Sequence, residues 1–258
     1  NLDIIDASPT SNNRYVLKNK KCVKVPTSLI AFLLTPLFTM KTKLKIITEF
    51  LNKKKSIDDK ESVSDFICRR FNKQLLEYAV NPFIAGTYAG DPDKLSIKHA
   101  FPMLYNFEKE YGSILKGLLN NKKSKTQIKR RSISFKNGLN EIIIKLNNIL
   151  KTNIKLKSKV VSISKQNKLF SVSYLSNNTI KTITTKKIIC TVPTYALKHI
   201  KFNNANNPFF NKLSSIYYPP IISVTIAFKK NKISKKIDGF GILIPKIEKM
   251  NILGILYL

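Results

Sequence analysis

The chain has 258 residues and a formal net charge of +31, from 46 Lys and Arg against 15 Asp and Glu. With 43% apolar and 10% aromatic residues it is a folding chain rather than a disordered one, and its length allows one or two domains. The charge would attract nucleic acid or anionic lipid, yet only five of its carriers are Arg, and Lys is spread through ordinary strand-like stretches such as Ile154–Ile163. Compositional drift therefore accounts for most of it. No specific nucleic-acid contact is expected, because no aromatic–basic stacking platform, helix-turn-helix pattern or zinc module is present. Cys22, Cys68 and Cys190 are far apart and form no CxxC, so they read as reduced, mostly buried thiols. His99 and His199 lack acidic or sulfur neighbours at ligand spacing, and no metal site is expected.

In chain order, Arg14–Pro26 alternates apolar and polar residues around an Asn-Lys turn and predicts a hairpin. Ser28–Met40 (SLIAFLLTPLFTM) is almost continuously apolar, but Pro36 interrupts it and it is too short to cross a bilayer. Lysines on both sides make it either a wedge dipping into one leaflet or a short core helix. From Lys41 to Asn121 the pattern is helical. Leu44, Ile47 and Leu51 share a face, and Ser62-x-x-Asp65 forms a capping pattern. Lys122–Arg131 is a charge run that reads as a solvated loop. Beyond it come a helix over Leu139–Leu150 and strand-like runs at Ile154–Ser164, Lys168–Leu175 and Thr179–Thr185. Lys187–Val192 reads as a buried strand stopped by Pro193, with Thr194–Ile200 helical. Further strands are expected at Ile221–Phe228, Gly241–Ile244 and Ile252–Leu258. The fold class is mixed α/β, with a helical segment spliced into it.

One stretch resists composition: Phe83–Gly112, FIAGTYAGDPDKLSIKHAFPMLYNFEKEYG, with two close glycines, a DPD turn and many aromatics. It resembles the signature region of protoporphyrinogen oxidases. The likeness runs in order through Asn13–Leu17, Asn81–Gly117, Ser134–Leu139 (SFKNGL), Val192–Leu197 (VPTYAL), Pro219-Pro220 and Gly239–Pro245 (GFGILIP). It implies FAD-dependent oxidation of protoporphyrinogen IX to protoporphyrin IX by a fold with an FAD domain, a substrate domain and a helical insert in one membrane leaflet. Residues 1–26 and 201–258 would then belong to the substrate domain, 27–131 to the membrane insert and 132–200 to the FAD domain. The protein would sit peripherally on the cytoplasmic face of a cell or organelle membrane, as a monomer or a homodimer.

The resemblance also assigns roles. Arg14 matches an arginine that pairs with a propionate of the substrate, a task suited to the two-pronged guanidinium; read without the motif it is an exposed hairpin residue. Gly86 matches a glycine lying close to the macrocycle, where a side chain would hold the ring away. Phe240 matches an aromatic stacked on a pyrrole, and Ile221 an aliphatic wall; for both, core packing is the plain alternative. Val160 matches a residue whose backbone holds the adenine end of FAD. No side chain reads as a catalytic acid or base, since the flavin carries the chemistry. The family's opening strand–GxGxxG–helix unit has no counterpart among the eight glycines. The chain thus reads as an internal piece of such an enzyme; otherwise it is an inactive fragment serving as a membrane-associated, tetrapyrrole-binding module.

Overall fold

A computed structural model describes residues 2–53, 58–123, 131–203, 208–233 and 238–257. The chain forms two compact units, residues 1–5 with 134–218, and residues 6–133 with 219–258. The strand β1 (Ile4–Asp6) has its first two residues in the smaller unit and its last in the larger. β2 (Arg14–Lys18) and β3 (Lys21–Lys24) then make the expected hairpin, with Tyr15 opposite Lys24 and Lys18 opposite Lys21. Its two-residue turn puts both Asn19 and Lys20 in the left-handed region, at φ 51° and 60°. That is the conformation that continues the right-handed twist of paired strands.

The helices that follow begin where short polar side chains replace missing backbone acceptors. Ser28 Oγ accepts from the Ala31 N–H ahead of α1 (Leu29–Leu34), and Thr39 does the same for α2 (Met40–Thr48). Ser62 Oγ accepts from the Asp65 N–H at 3.0 Å to start α3 (Val63–Arg70), as the capping pattern requires. Asn72 caps α4 (Lys73–Leu75), which continues through a π-helical turn, Leu76–Val80, into α5 (Asn81–Tyr88). Next come α6 (Ile97–Ala100), α7 (Pro102–Tyr111) and α8 (Ile114–Lys123). Their core is built from Val63, Phe66, Ile67, Ile84, Ile97 and Tyr105. At its edge lies a cluster of fully buried charges: Arg70 is 2% exposed, Glu49 1% and Glu108 0%. Glu49 also accepts from the N–H groups of Ile114 and Leu115, at 2.9 and 3.1 Å, so a carboxylate satisfies the N-terminus of α8.

β4 (Ile133–Phe135) pairs with β1 where the chain passes between the units. The smaller unit continues with α9 (Asn140–Leu150), β5 (Lys159–Gln166), β6 (Leu169–Ser176), β7 (Thr179–Thr185), β8 (Lys201–Asn203) and α10 (Pro208–Ser214). The order in its sheet is β7-β6-β5-β8, antiparallel except for the β5–β8 pair. The loop between β6 and β7 is again a two-residue turn, Asn177-Asn178, both at positive φ. Val172 and Tyr174 project from one face of β6 and are buried. The larger unit closes with β9 (Gly241–Leu243) and β10 (Gly254–Leu256), which extend its hairpin into a sheet of order β10-β9-β2-β3.

Three expectations are corrected. Lys187–Val192 is not a buried strand: it pairs with nothing among the described residues and Ile189 is 90% exposed. Ile221–Phe228 likewise forms no strand. Both runs have strand-like side chains, but a strand exists only against a partner ladder, and the described residues supply none beside them. The cysteines are all exposed rather than buried. Cys22 and Cys68 stand on outward positions of β3 and α3, and Cys190 falls in the first of the two unpaired runs. The charge run Lys122–Arg131 lies mostly outside the described residues.

Candidate functional site

β9 runs parallel to β2, with Arg14 opposite Gly241 and Val16 opposite Leu243. The Phe240 N–H donates to Asn13 O at 2.8 Å, and the Asn13 side-chain amide donates to Asp238 at 2.9 Å, which fixes Phe240 beside the start of β2. The Arg14 guanidinium carbon then stands 5.7 Å from the centre of the Phe240 ring. Among the described residues no carboxylate lies within ion-pairing distance of Arg14. Phe240 is 47% exposed, so the pair forms a cation and an aromatic face open to solvent.

Side chains two residues apart on a strand share a face. Arg14 therefore projects from the same side of the sheet as Val16, which is buried with Leu37, Phe38 and Tyr78. On this side α5 crosses β9. A Cβ on Gly86 would lie 2.6 Å from Leu243 Cδ2, so the helix rests closely on the strand here and a larger residue would make the Leu243 side chain shift. The structure thus brings Arg14, Phe240 and Gly86 to one sheet and its covering helix, and it adds Leu243, which sequence reasoning missed. Leu243 looked like an ordinary strand residue; only the register shows it to be Gly86's neighbour.

Ile221 is not gathered in. It is exposed, in the unpaired run before β9. Val160 lies in the smaller unit, near the start of β5, opposite Tyr174. The β5–β6 ladder shifts register between Val160 and Ser162, and β8 begins opposite Ser162. On that edge the backbone of β5 before Ser162 meets no strand among the described residues.

The signature stretch packs largely on itself. Phe83, Tyr88 and Phe101 form a triangle with centroids 6.3 to 6.4 Å apart. Phe83 and Phe101 line a hollow of about 240 Å³ together with Val63, Ile67, Val80 and Leu104. Its walls are apolar, and it is smaller than the roughly 300–1,000 Å³ of sites for drug-sized ligands.

α1 has an apolar outer side, with Leu29 71% and Leu34 78% exposed. Its C-terminal end is nevertheless held firmly. Lys43 Nζ donates to Leu33 O at 2.6 Å, and Lys18 Nζ to Pro36 O and Leu37 O at 2.8 and 2.7 Å. One ammonium group thus takes up a carbonyl of the last helical turn and the other two carbonyls of the segment just after it. Burial lowers the pKa of Lys18, while Glu248 opposes the shift and Lys43 adds to it. Met40, Leu44 and Ile47 of α2 are also exposed, so the face read as a helix stripe points outward. No helix among the described residues is long and apolar enough to cross a membrane.

The sequence is similar to known proteins over most of its length. The chain is 34% identical over 268 residues to protoporphyrinogen oxidase 2, chloroplastic/mitochondrial, of Arabidopsis thaliana, covering 93% of the chain and 53% of that protein. It is 30% identical over 271 residues to the mitochondrial protoporphyrinogen oxidase of Nicotiana tabacum, covering 94% and 54%. A more distant relative, coproporphyrinogen III oxidase of Bacillus subtilis, is 25% identical over 86% of the chain and 47% of its own length. The chain spans about half the length of the curated relatives it matches. The family model described as flavin containing amine oxidoreductase matches residues 5–254, nearly the whole sequence. The chain therefore belongs to the flavin-containing amine oxidoreductases, a family that works with flavin.

Proposed function

We propose that the chain carries the substrate-facing and membrane-facing part of a protoporphyrinogen oxidase, which oxidises protoporphyrinogen IX to protoporphyrin IX with FAD. The observation that carries this reading is the guanidinium of Arg14 over the Phe240 ring, without an ion-pair partner among the described residues, on the sheet that α5 packs against at Gly86. A flat apolar macrocycle with a propionate tail asks for an aromatic surface and a bidentate cation. FAD, when bound, supplies the acceptor for hydrogens leaving the macrocycle. This chain's residues orient the ring, and the open edge of β5 at Val160 is the place suited to adenine. In this reading 27–131 form the helical membrane insert, 132–200 belong to the FAD domain, and 1–26 with 201–258 to the substrate domain.

Binding of protoporphyrin IX and of its dimethyl ester, followed by porphyrin fluorescence, tests the role of Arg14. The chain should prefer the free acid, and Arg14→Met should weaken that ligand by roughly 10–100-fold, the worth of a charge-assisted hydrogen-bonded pair, while leaving the ester almost unaffected. Equal binding of acid and ester by the unaltered chain would remove the reading.

The exposed side of α1 and α2 fits one leaflet of an organelle or cell membrane, with lysines at the headgroups. Sedimentation with vesicles of phosphatidylcholine and phosphatidylglycerol should retain the chain, and the double substitution Leu29→Asp, Leu34→Asp should release it. Retention of the double variant at 0.5 M salt would show that charge alone does not explain attachment and that α1 is not the wedge.

A further inference from the structure

A short turn after β9 is tied to the start of α5 and to the turn that follows β2. Residues Lys246–Glu248 form one 3-10 turn, closed by Lys249 at φ 54°. The Lys246 N–H donates to the Asn81 side-chain oxygen at 3.3 Å, where α5 begins. The Glu248 carboxylate accepts from the N–H groups of Asn19 and Lys20, at 2.8 and 3.3 Å, across the β2–β3 turn. It also accepts from Tyr78 Oη at 3.3 Å, in the π-helical turn leading into α5. These partners lie 229, 228 and 170 residues from Glu248, so the contacts are tertiary ties rather than local capping.

Two consecutive N–H groups of a left-handed turn point to one side and form a small concavity for an anion. Glu248 fills it from within the chain. The network continues to the exposed helix: Lys18 Nζ stands 5.1 Å from the centre of the Tyr78 ring while it holds the carbonyls after α1. A π-turn is a place where helices re-aim side chains, and this one sits between the tie and Gly86.

We infer that Glu248 is a positioning residue, and that its carboxylate keeps the strand of Arg14, the helix of Gly86 and the strand of Phe240 in the one arrangement that can grip a propionate and admit the ring. The inference rests on the Arg14 reading above and adds the device that holds that site together. Glu248 itself touches no proposed ligand group. Its effect is on geometry: with the carboxylate removed, the hairpin turn and the π-turn are no longer bound to the same atom.

The test compares the unaltered chain, Glu248→Ala and Glu248→Gln by amide hydrogen exchange and by the acid-to-ester preference. In Glu248→Ala, exchange in 14–20 and 76–88 should rise together by roughly tenfold, with 97–111 unchanged, and the preference for the free acid should fall to about one. Glu248→Gln keeps an oxygen for Asn19 and Tyr78 and should recover most of both signals. A rise confined to 245–249 overturns the inference, and so does a uniform rise through 97–111, which would make Glu248 merely stabilising. An unchanged acid preference in a variant with loosened exchange overturns it too. If the unaltered chain shows no acid preference, the Arg14 reading fails, and the paired exchange change still decides whether Glu248 joins the three elements.

Discussion

Replacing Arg70 with Ala is expected to destabilise the helical unit by about 3–5 kcal/mol, the cost of leaving a buried charge without its partner. Arg70 Nη2 lies 2.9 Å from Glu49 and Nη1 3.4 Å from Glu108, and both carboxylates are excluded from water. Glu108 keeps a second cation, since Arg69 donates to both of its oxygens at 2.8 and 2.9 Å. Glu49 has no such reserve among the described ion pairs, only the donors at the start of α8. The loss should therefore fall mainly on the contact between residue 49 and α8. Urea unfolding followed by far-ultraviolet circular dichroism checks it. Pairing Arg70→Met with Glu49→Gln should recover part of the loss, because that removes the stranded charge as well as its partner. A double variant no more stable than Arg70→Ala would show that the ion pair itself, rather than the stranded charge, carries the stability.

That cluster was illegible in the sequence. Glu49, Arg70 and Glu108 lie on three different elements, and no spacing rule relates residues 21 and 38 positions apart. Local chemistry was legible wherever one short stretch contained the whole cause. The Asn-Lys turn and its alternating flanks predicted β2 and β3, and Ser62 with Asp65 predicted the start of α3. The runs at 187–192 and 221–228 failed because their pattern reports what a strand would bury but not whether a neighbour is there to pair with. The outward-facing Leu44 and Ile47 show the same limit on a helix. Periodicity finds a stripe and leaves open whether protein or something else covers it.

The candidate site divides in the same way. Arg14 and Phe240 were found through motifs and are brought together by the parallel register of β2 and β9. Gly86 was singled out for closeness to a ring, but the neighbour a Cβ there would meet in this structure is the Leu243 side chain. Glu248 carried no signal at all, because a carboxylate that binds backbone N–H groups 229 residues away leaves no pattern around itself.

The second large effect is expected at Gly241, where alanine should cost about 3 kcal/mol and abolish the preference for a porphyrin carrying free propionates. Gly241 has φ 156°, and a Cβ there would lie 2.3 Å from the Ile255 carbonyl oxygen and 3.1 Å from Leu256 Cα. Both are backbone atoms of the paired strand β10, so no side-chain rotation relieves the clash. Either β10 leaves β9, losing the pairing of Gly254 with Leu243 and of Leu256 with Gly241, or β9 shifts against β2 and moves Phe240 away from Arg14. Gly138 provides the control. It has φ 86° with nothing within 4 Å, so alanine there should cost only the backbone penalty of about 1 kcal/mol. Thermal unfolding together with the acid-to-ester binding ratio measures both variants. If Gly241→Ala melts with the Gly138→Ala chain and still distinguishes acid from ester, then the β9–β10 contact does not set the position of Phe240.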